Sequence, residues 1–449
     1  MRKKTVKANK YGIDATMIHD DALQIIKKLQ NNGFDGCIVG GGVRDLILHK
    51  TPKDFDVVTN ATPEDVRKVF RRNSIIIGKR FKIVHIICNH LNYDKLINNR
   101  PINERHVIEV STYRSNVVHK HAISKLGRIM VDNNYGTQKD DAFRRDFTVN
   151  ALYYDPIKEV IIDYTDGITD ITNNTLRMIG DVKARYIEDP VRILRAIRLS
   201  IKTGLNIEAD TLHHIDTQKK LLLNENSGRL FEEMLKILLS GYSIECIQYF
   251  QQMKFPRGVF VLFDKLFLRD TMDEFALKVL KKTDDRIKET GNVSVAFILA
   301  GLLWNNVYDK WQTLLLEGGS PIGAMHEAID AVRDYGRQIG INQNIYGMMS
   351  ETWMMQLEFD YPIVNKIYNI SNTSKTRQGL YLYNIRMECG GVDLKLNNWW
   401  NEFFQLLNNG DDAQKNIHID ILQKICNIDT KNTSKNKKRK KKINHTHKE

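Results

Sequence analysis

The sequence predicts an α+β fold, in which a head of mixed sheet and helices is followed by a long all-helical region. Three observations carry this. Residues 36–60, GCIVGGGVRDLILHKTPKDFDVVTN, read as strand, glycine turn, short helix, loop and strand. Further short β-patterned runs follow at 74–77, 82–87 and 107–112. From about Val182 the apolar spacing becomes helical and stays so almost to the end of the chain.

Taken in order, residues 1–18 look like a basic arm. Asp20 and Asp21 then precede a helical pattern with Leu23, Ile26 and Leu29 on one side, ending near Gly33. After the 36–60 unit, Thr62 is placed to cap a helix with Pro63 at its first position, running to about Phe70. Residues 91–105 are polar and read as a loop, and residues 115–140 match no pattern. Residues 163–170, DYTDGITD, read as a turn built on Gly167. A helix is expected to begin at Glu188-Asp189-Pro190 and another to cover 227–239. The five tryptophans, at 304, 311, 353, 399 and 400, are expected in the core of the helical region.

Composition narrows the class. The chain has 449 residues, enough for two or three domains, with 42% hydrophobic and 27% charged residues. Its net charge is +13. Residues 431–449 contribute nine Lys/Arg against one Glu, or +8, and residues 1–10 contribute +5, which leaves 13 − 8 − 5 = 0 for the rest. Basic ends of this kind suit a polyanion, although they also keep a protein soluble. The five cysteines (37, 88, 246, 389, 426) are odd in number and scattered, which argues against a disulfide scaffold and for a reduced, cytoplasmic setting. No signal peptide and no membrane span are expected.

The chemistry centres on Asp54 and Asp56. At the start of a strand, residues i and i+2 share a face, so the two carboxylates can hold hard cations while Phe55 turns toward the core. Oxygen-only ligands suit Mg²⁺, which favours a few carboxylates plus substrate phosphates. Gly40-Gly41-Gly42 lets backbone N–H groups approach a triphosphate. Either feature alone is commonly only a turn; their order within one short unit favours a site. It is neither a Walker loop nor a dinucleotide fingerprint. Glu109 is the only acid in its strand and faces away from Ile108 and Val110, which makes it the candidate third carboxylate. Residues 67–82 hold seven Lys/Arg, among them Lys79 and Arg80, and no acid, which suits phosphate or an RNA backbone. Arg145, Asp146 and Asn150 read as a buried polar network or a ribose and phosphate site. Glu188, Arg192 and Arg195 fall on one helical face beside Asp189, opposite Ile193, Leu194 and Ile197. That face reads as surface ion pairs or as a base-reading face. Asp189 could accept from a base amino group and Arg192 could donate to a ring nitrogen, an order that adenine and cytosine share.

VGGGVRD with KDFD, RRDFTVNALYY, EDPVRILRAIR and RLFEEMLKIL, in that order, resemble the class II nucleotidyltransferases. That family includes CCA-adding tRNA enzymes and bacterial poly(A) polymerases. IIIGKRFKIVHI and the basic C-terminal stretch are more similar to the poly(A) polymerase branch, although the tail is short and Lys-rich rather than long and Arg-rich.

The resemblance implies a polymerase-β-like head over 19–175, a helical neck with a base-selecting helix over 176–260, a helical RNA-binding body over 261–430, and a basic tail over 431–449. It implies template-independent transfer of AMP from ATP to RNA 3′ ends in RNA polyadenylation and decay, with CCA addition from CTP and ATP as the alternative. Asp54, Asp56 and Asp146 are the implied catalytic residues, and Asp54, Asp56 and Glu109 the ligands of two Mg²⁺ ions. Gly40, Gly41, Arg44, Arg145, Asn150, Glu188, Asp189, Arg192 and Arg195 would bind the nucleotide. Lys79, Arg80, Lys437, Lys438, Arg439 and Lys440 would bind RNA, and RNA-degradation machinery is the implied partner class.

Overall fold

The computed structural model describes residues 3–78, 81–97, 100–115, 134–266, 273–363, 367, 370, 373–409 and 414–422. Lys79, Arg80, Lys437, Lys438, Arg439 and Lys440, all expected to bind RNA, lie outside the described residues, as do residues 116–133.

The chain divides into two compact units, Met1–Asn224 and Glu225–Glu449. The first is built on an eight-stranded sheet of β1 (Lys4–Lys7), β2 (Cys37–Val39), β3 (Val57–Thr59), β4 (Ser74–Ile77), β5 (Ile83–Ile97), β6 (Arg100–Thr112), β7 (Leu152–Asp155) and β8 (Val160–Asp163). Their spatial order is β1-β8-β7-β2-β3-β6-β5-β4. The β3–β6 pair is parallel and the other pairs are antiparallel, so the sheet is mixed as expected. A small parallel pair joins β9 (Thr175–Leu176) to β10 (Asn206–Ile207).

Local sequence explains the helices around the sheet. Helix α1 (Asp20–Asn31) buries Ile25, Ile26 and Leu29, each contributing about 1.5–3 kcal/mol on leaving water. Helix α2 (Gly41–Ile47) follows Gly40, whose φ of 77° favours glycine, and it is buried from Gly42 onward. In α3 (Pro63–Phe70), the Thr62 hydroxyl accepts from the Asp65 N–H at 3.2 Å. Helix α4 (Gln138–Arg144) opens with a capping box between Thr137 and Asp140. Helix α5 (Gly167–Thr172) begins where a Cβ on Gly167 would lie 2.2 Å from the Thr148 carbonyl oxygen, so glycine is required there by close approach. Helices α6 (Val182–Glu188), α7 (Val191–Thr203) and α8 (Ala209–Gln218) complete the unit.

Three expectations are corrected. Residues 4–18 are not a loose arm, because β1 pairs with β8 and the Ala8 N–H donates to the Glu159 carbonyl at 2.9 Å. Residues 91–97 and 100–105 are not a loop, because they lie in β5 and β6, which pair antiparallel. A ladder satisfies backbone groups without needing apolar alternation, so the pattern was silent there. The unit boundary falls after Asn224, inside the expected neck of 176–260. The first neck helices belong with the head because β9 pairs with β10 and the Met178 N–H donates to the Thr211 hydroxyl at 3.2 Å.

The second unit is helical. It runs from α9 (Ser227–Leu238) and α10 (Ser243–Gln252) through α11 (Val261–Leu266), α12 (Glu274–Thr290), α13 (Val295–Leu302), α14 (Trp304–Leu316), α15 (Pro321–Gln338) and α16 (Gln343–Asp360) to α17 (Ser374–Glu388) and α18 (Leu394–Asn409). All five tryptophans are buried in it, as expected. The Trp353 and Trp400 indole N–H groups donate to the carbonyls of Ala300 at 2.9 Å and Phe359 at 3.1 Å. No helix among the described residues is long and apolar enough to cross a membrane.

Candidate active site

The site starts from backbone. The Val39 N–H, at the end of β2, donates to the Asp56 carbonyl at 3.0 Å and pins the Asp54–Asp56 segment beside the glycine turn. Gly42 packs on that segment, since a Cβ there would sit 3.3 Å from the Asp54 carbonyl oxygen and 3.6 Å from the Phe55 ring. Strand β3 begins only at Val57, so the two aspartates lie in its lead-in rather than within the strand. Parallel pairing of Val57 with Val110 sets Asp56 level with Glu109 on the neighbouring strand.

Asp54, Asp56 and Glu109 line one cleft of about 890 Å³, together with Lys53 and Arg105. Asp56 keeps exposed surface, yet the crowding protein removes enough water to push its pKa up to about 6. The Glu109 and Asp54 charges push the same way and Arg145 pulls against them. Glu109 Oε1 also lies 3.4 Å from His85 Nε2. The ligand type of this oxygen-only set suits Mg²⁺, which commonly completes its coordination with substrate phosphates and water, although the three carboxylates do not all gather within 4.8 Å of one another.

A second pocket, of about 310 Å³, is lined by Arg114, Arg144, Arg145, Arg192 and Arg195, with Ser111, Asp141 and Asp146. Five guanidinium groups against two carboxylates make it an anion site. Burial pushes the Arg144 pKa down to about 10, and Arg114, Arg185 and Arg192 add to this while Glu188 opposes it. Asp141 holds Arg145 through Nε and Nη2, both at 3.0 Å, while the Tyr153 hydroxyl donates to Asp141 at 2.8 Å. Asp146 accepts from the Phe147 N–H at 2.8 Å and from Asn150 Nδ2 at 3.2 Å, with Arg195 Nη1 3.9 Å away. The RRDFTVN stretch is therefore a polar network that borders a pocket.

Arg44, expected to bind the nucleotide, sits against the glycine turn. It is 6% exposed, donates twice to Asp45 Oδ1, at 2.8 and 2.6 Å, and gives Nη1 to Asn150 Oδ1 at 2.6 Å. Three of its five N–H donors are engaged within the protein, where it joins the glycine turn to the polar network.

The expected single helix from Glu188 is instead two. Glu188 ends α6, Asp189 caps it, and α7 starts after Pro190. The pairing survives the break, since Arg192 Nη1 donates to Glu188 Oε2 at 2.7 Å. Arg192 Nε stands 4.0 Å from Asp189 Oδ2. Ile193, Leu194 and Ile197 are fully buried, as expected.

Arg185 and Asp141 were missed in the sequence. Arg185 donates to Glu188 at 2.8 Å and to the Arg144 and Arg145 carbonyls at 2.7 and 2.6 Å, which ties α6 to the head. Spacing held a signal for both, because Arg185 is three residues before Glu188 and Asp141 four before Arg145.

The comparisons agree with this layout. Residues 37–177 match the Poly A polymerase head domain, 204–260 the probable RNA and SrmB-binding site of polymerase A, and 317–443 the polymerase A arginine-rich C-terminus. The chain is 33% identical over 432 residues to Poly(A) polymerase I of Haemophilus influenzae, covering 92% of this chain and 90% of that one. It is 30% identical to the CCA-adding enzyme of Staphylococcus epidermidis over 237 residues, covering 53% of this chain and 54% of that one. A solved tRNA-processing enzyme in its apo form shares the fold at a TM-score of 0.50 and 18% identity, covering 90% of this chain and 96% of that one. The mixed-sheet head with its carboxylate cleft is that of a nucleotidyltransferase. The chain belongs to the bacterial poly(A) polymerase family, which its relatives match over nearly its whole length.

Proposed function

We propose that the carboxylate cleft carries out template-independent transfer of AMP from ATP to an RNA 3′ end, releasing pyrophosphate. The observation that carries the reading is the convergence of Asp54, Asp56 and Glu109 on one cleft beside the glycine turn. When bound by these three carboxylates, divalent cations would supply charge neutralisation for the triphosphate and acidify the attacking 3′-hydroxyl. The Gly40 N–H donates to the Leu152 carbonyl at 3.2 Å, so the N–H of Gly41, at the start of α2, is the one that would meet the triphosphate. Arg145 and its neighbours hold phosphate charge in the arginine pocket, with Asp141 fixing the Arg145 fork. Asp146 and Asn150 orient the ribose, and Glu188 holds Arg192 toward the base edge beside Asp189. Arg44 acts as a positioning residue through Asn150.

Lys79, Arg80 and the tail lysines would track RNA, and tails made this way would feed the cytoplasmic RNA-degradation machinery. Incubating the full chain with a generic RNA, and with tRNA lacking its CCA end, tests the reading. Long tails from ATP alone are expected. Addition from CTP and ATP that stops after three nucleotides would overturn it in favour of CCA addition. Asp54→Asn is expected to lower turnover by at least about 10³-fold without lowering the melting temperature, on the scale of lost transition-state charge stabilisation.

A further inference from the structure

Among the described residues, one group of three metal-capable side chains brings its ligand atoms within 4.8 Å of one another, and it is not the aspartate pair. It is His19, Asp21 and His106. His19 caps α1, Asp21 lies in the first turn of that helix, and His106 projects from β6. The imidazole Nδ1 atoms of His19 and His106 stand 3.6 and 3.4 Å from the same atom, Asp21 Oδ2. The two rings lie 4.9 Å apart, centroid to centroid. Exposure is graded: the Asp21 side chain is 3% exposed, whereas those of His19 and His106 are 41% and 48% exposed. A buried carboxylate behind two half-open imidazoles leaves an approach from solvent.

We propose that His19, Asp21 and His106 form a binding site for a transition-metal cation of the Zn²⁺ class, with water completing the coordination. Two imidazole nitrogens with one carboxylate select zinc over magnesium, which takes oxygen. The site is therefore chemically distinct from the three-carboxylate set, although His19 and His106 line the same cleft as Asp54, Asp56 and Glu109. Occupancy clips the start of α1 to the β5–β6 pair at the mouth of that cleft. The His19 Nδ1 atom accepts from the Asp21 N–H at 3.2 Å. Binding thus requires the His19 ring to rotate or to present Nε2.

The test uses the full chain, stripped with a chelator and titrated with Zn²⁺ alone while Mg²⁺ is kept in excess. One equivalent is expected to bind. His106→Gln and His19→Ala are each expected to weaken binding at least about 10-fold, no less than losing a partner behind a metal ligand does. Glu109→Gln serves as the control and should bind Zn²⁺ as the wild type does, with a circular-dichroism melt for every variant to establish folding. Two results overturn the proposal: no Zn²⁺ retained against Mg²⁺, which leaves an ordinary histidine–aspartate ion-pair cluster, or Zn²⁺ binding that follows Glu109 instead of the histidines. A failure to retain Zn²⁺ leaves the adenylyl-transfer reading untouched, since that reading makes no use of His19, Asp21 or His106 as ligands.

Discussion

Arg44 Nη1 donates to Asn150 Oδ1 at 2.6 Å across 106 residues of sequence, and so couples the glycine turn to the RRDFTVN network. Asn150 in turn donates to Asp146 at 3.2 Å. Asn150→Ala removes both links and leaves part of a buried guanidinium unpaired, at a cost of about 1–3 kcal/mol. A lowered melting temperature and a reduced kcat are expected together. A variant with wild-type values of both would show that the coupling does not matter.

Asp56 makes stability depend on pH. Its pKa of about 6 lies above the ordinary 3.8, so between those values the folded chain binds more protons than the unfolded one. Stability must then fall as pH rises through that window. Water screening tempers the effect, because Asp56 keeps exposed surface. The metal-free protein is expected to melt lower at pH 7 than at pH 5, relative to Asp56→Asn measured at the same two values. Mg²⁺ should raise the wild-type melt more at pH 7, where the carboxylate is ionised. A difference between wild type and variant that ignores pH would contradict this.

Asp141 is 5% exposed and binds Arg145, Tyr153 and the Arg114 N–H. Asp141→Ala leaves the Arg145 charge without its main partner and is expected to destabilise by about 3 kcal/mol, at the lower end for a broken buried pair because Arg145 is partly exposed. Urea unfolding reads this directly. Asp141→Asn should recover part of the loss by keeping an acceptor oxygen.

Gly167→Ala is expected to cost about 3 kcal/mol through overpacking, since the added methyl meets the Thr148 carbonyl at 2.2 Å. Thr148 also donates its hydroxyl to Asp170 at 2.7 Å, so the clash strains the base of the polar network. Denaturant midpoints and tailing rates should both fall; an unchanged midpoint would mean that α5 can shift without strain.

Much of this protein was legible without coordinates wherever local chemistry has one solution. Thr62 and Pro63 start α3 because a hydroxyl cap and a fixed φ suit only a helix entry. Gly40 marks the strand-to-helix turn because its φ of 77° is open to glycine. The aspartate pair and Glu109 were found because few apolar-flanked segments carry acids at those positions, and the parallel register then set Asp56 level with Glu109.

What the sequence by itself determined was therefore the order of the elements, the alternation of the head strands and the residue types gathered at the cleft. Only the tertiary structure decided that β1 pairs at the sheet edge, that 91–97 and 100–105 are strand, that Arg44 bonds to Asn150, and that His19, Asp21 and His106 meet. The reason is physical. Capping, turns and side-chain periodicity act over a few residues and leave a mark in the order of amino acids. Strand partners and charge partners are chosen across space, by which groups burial leaves in need of one another.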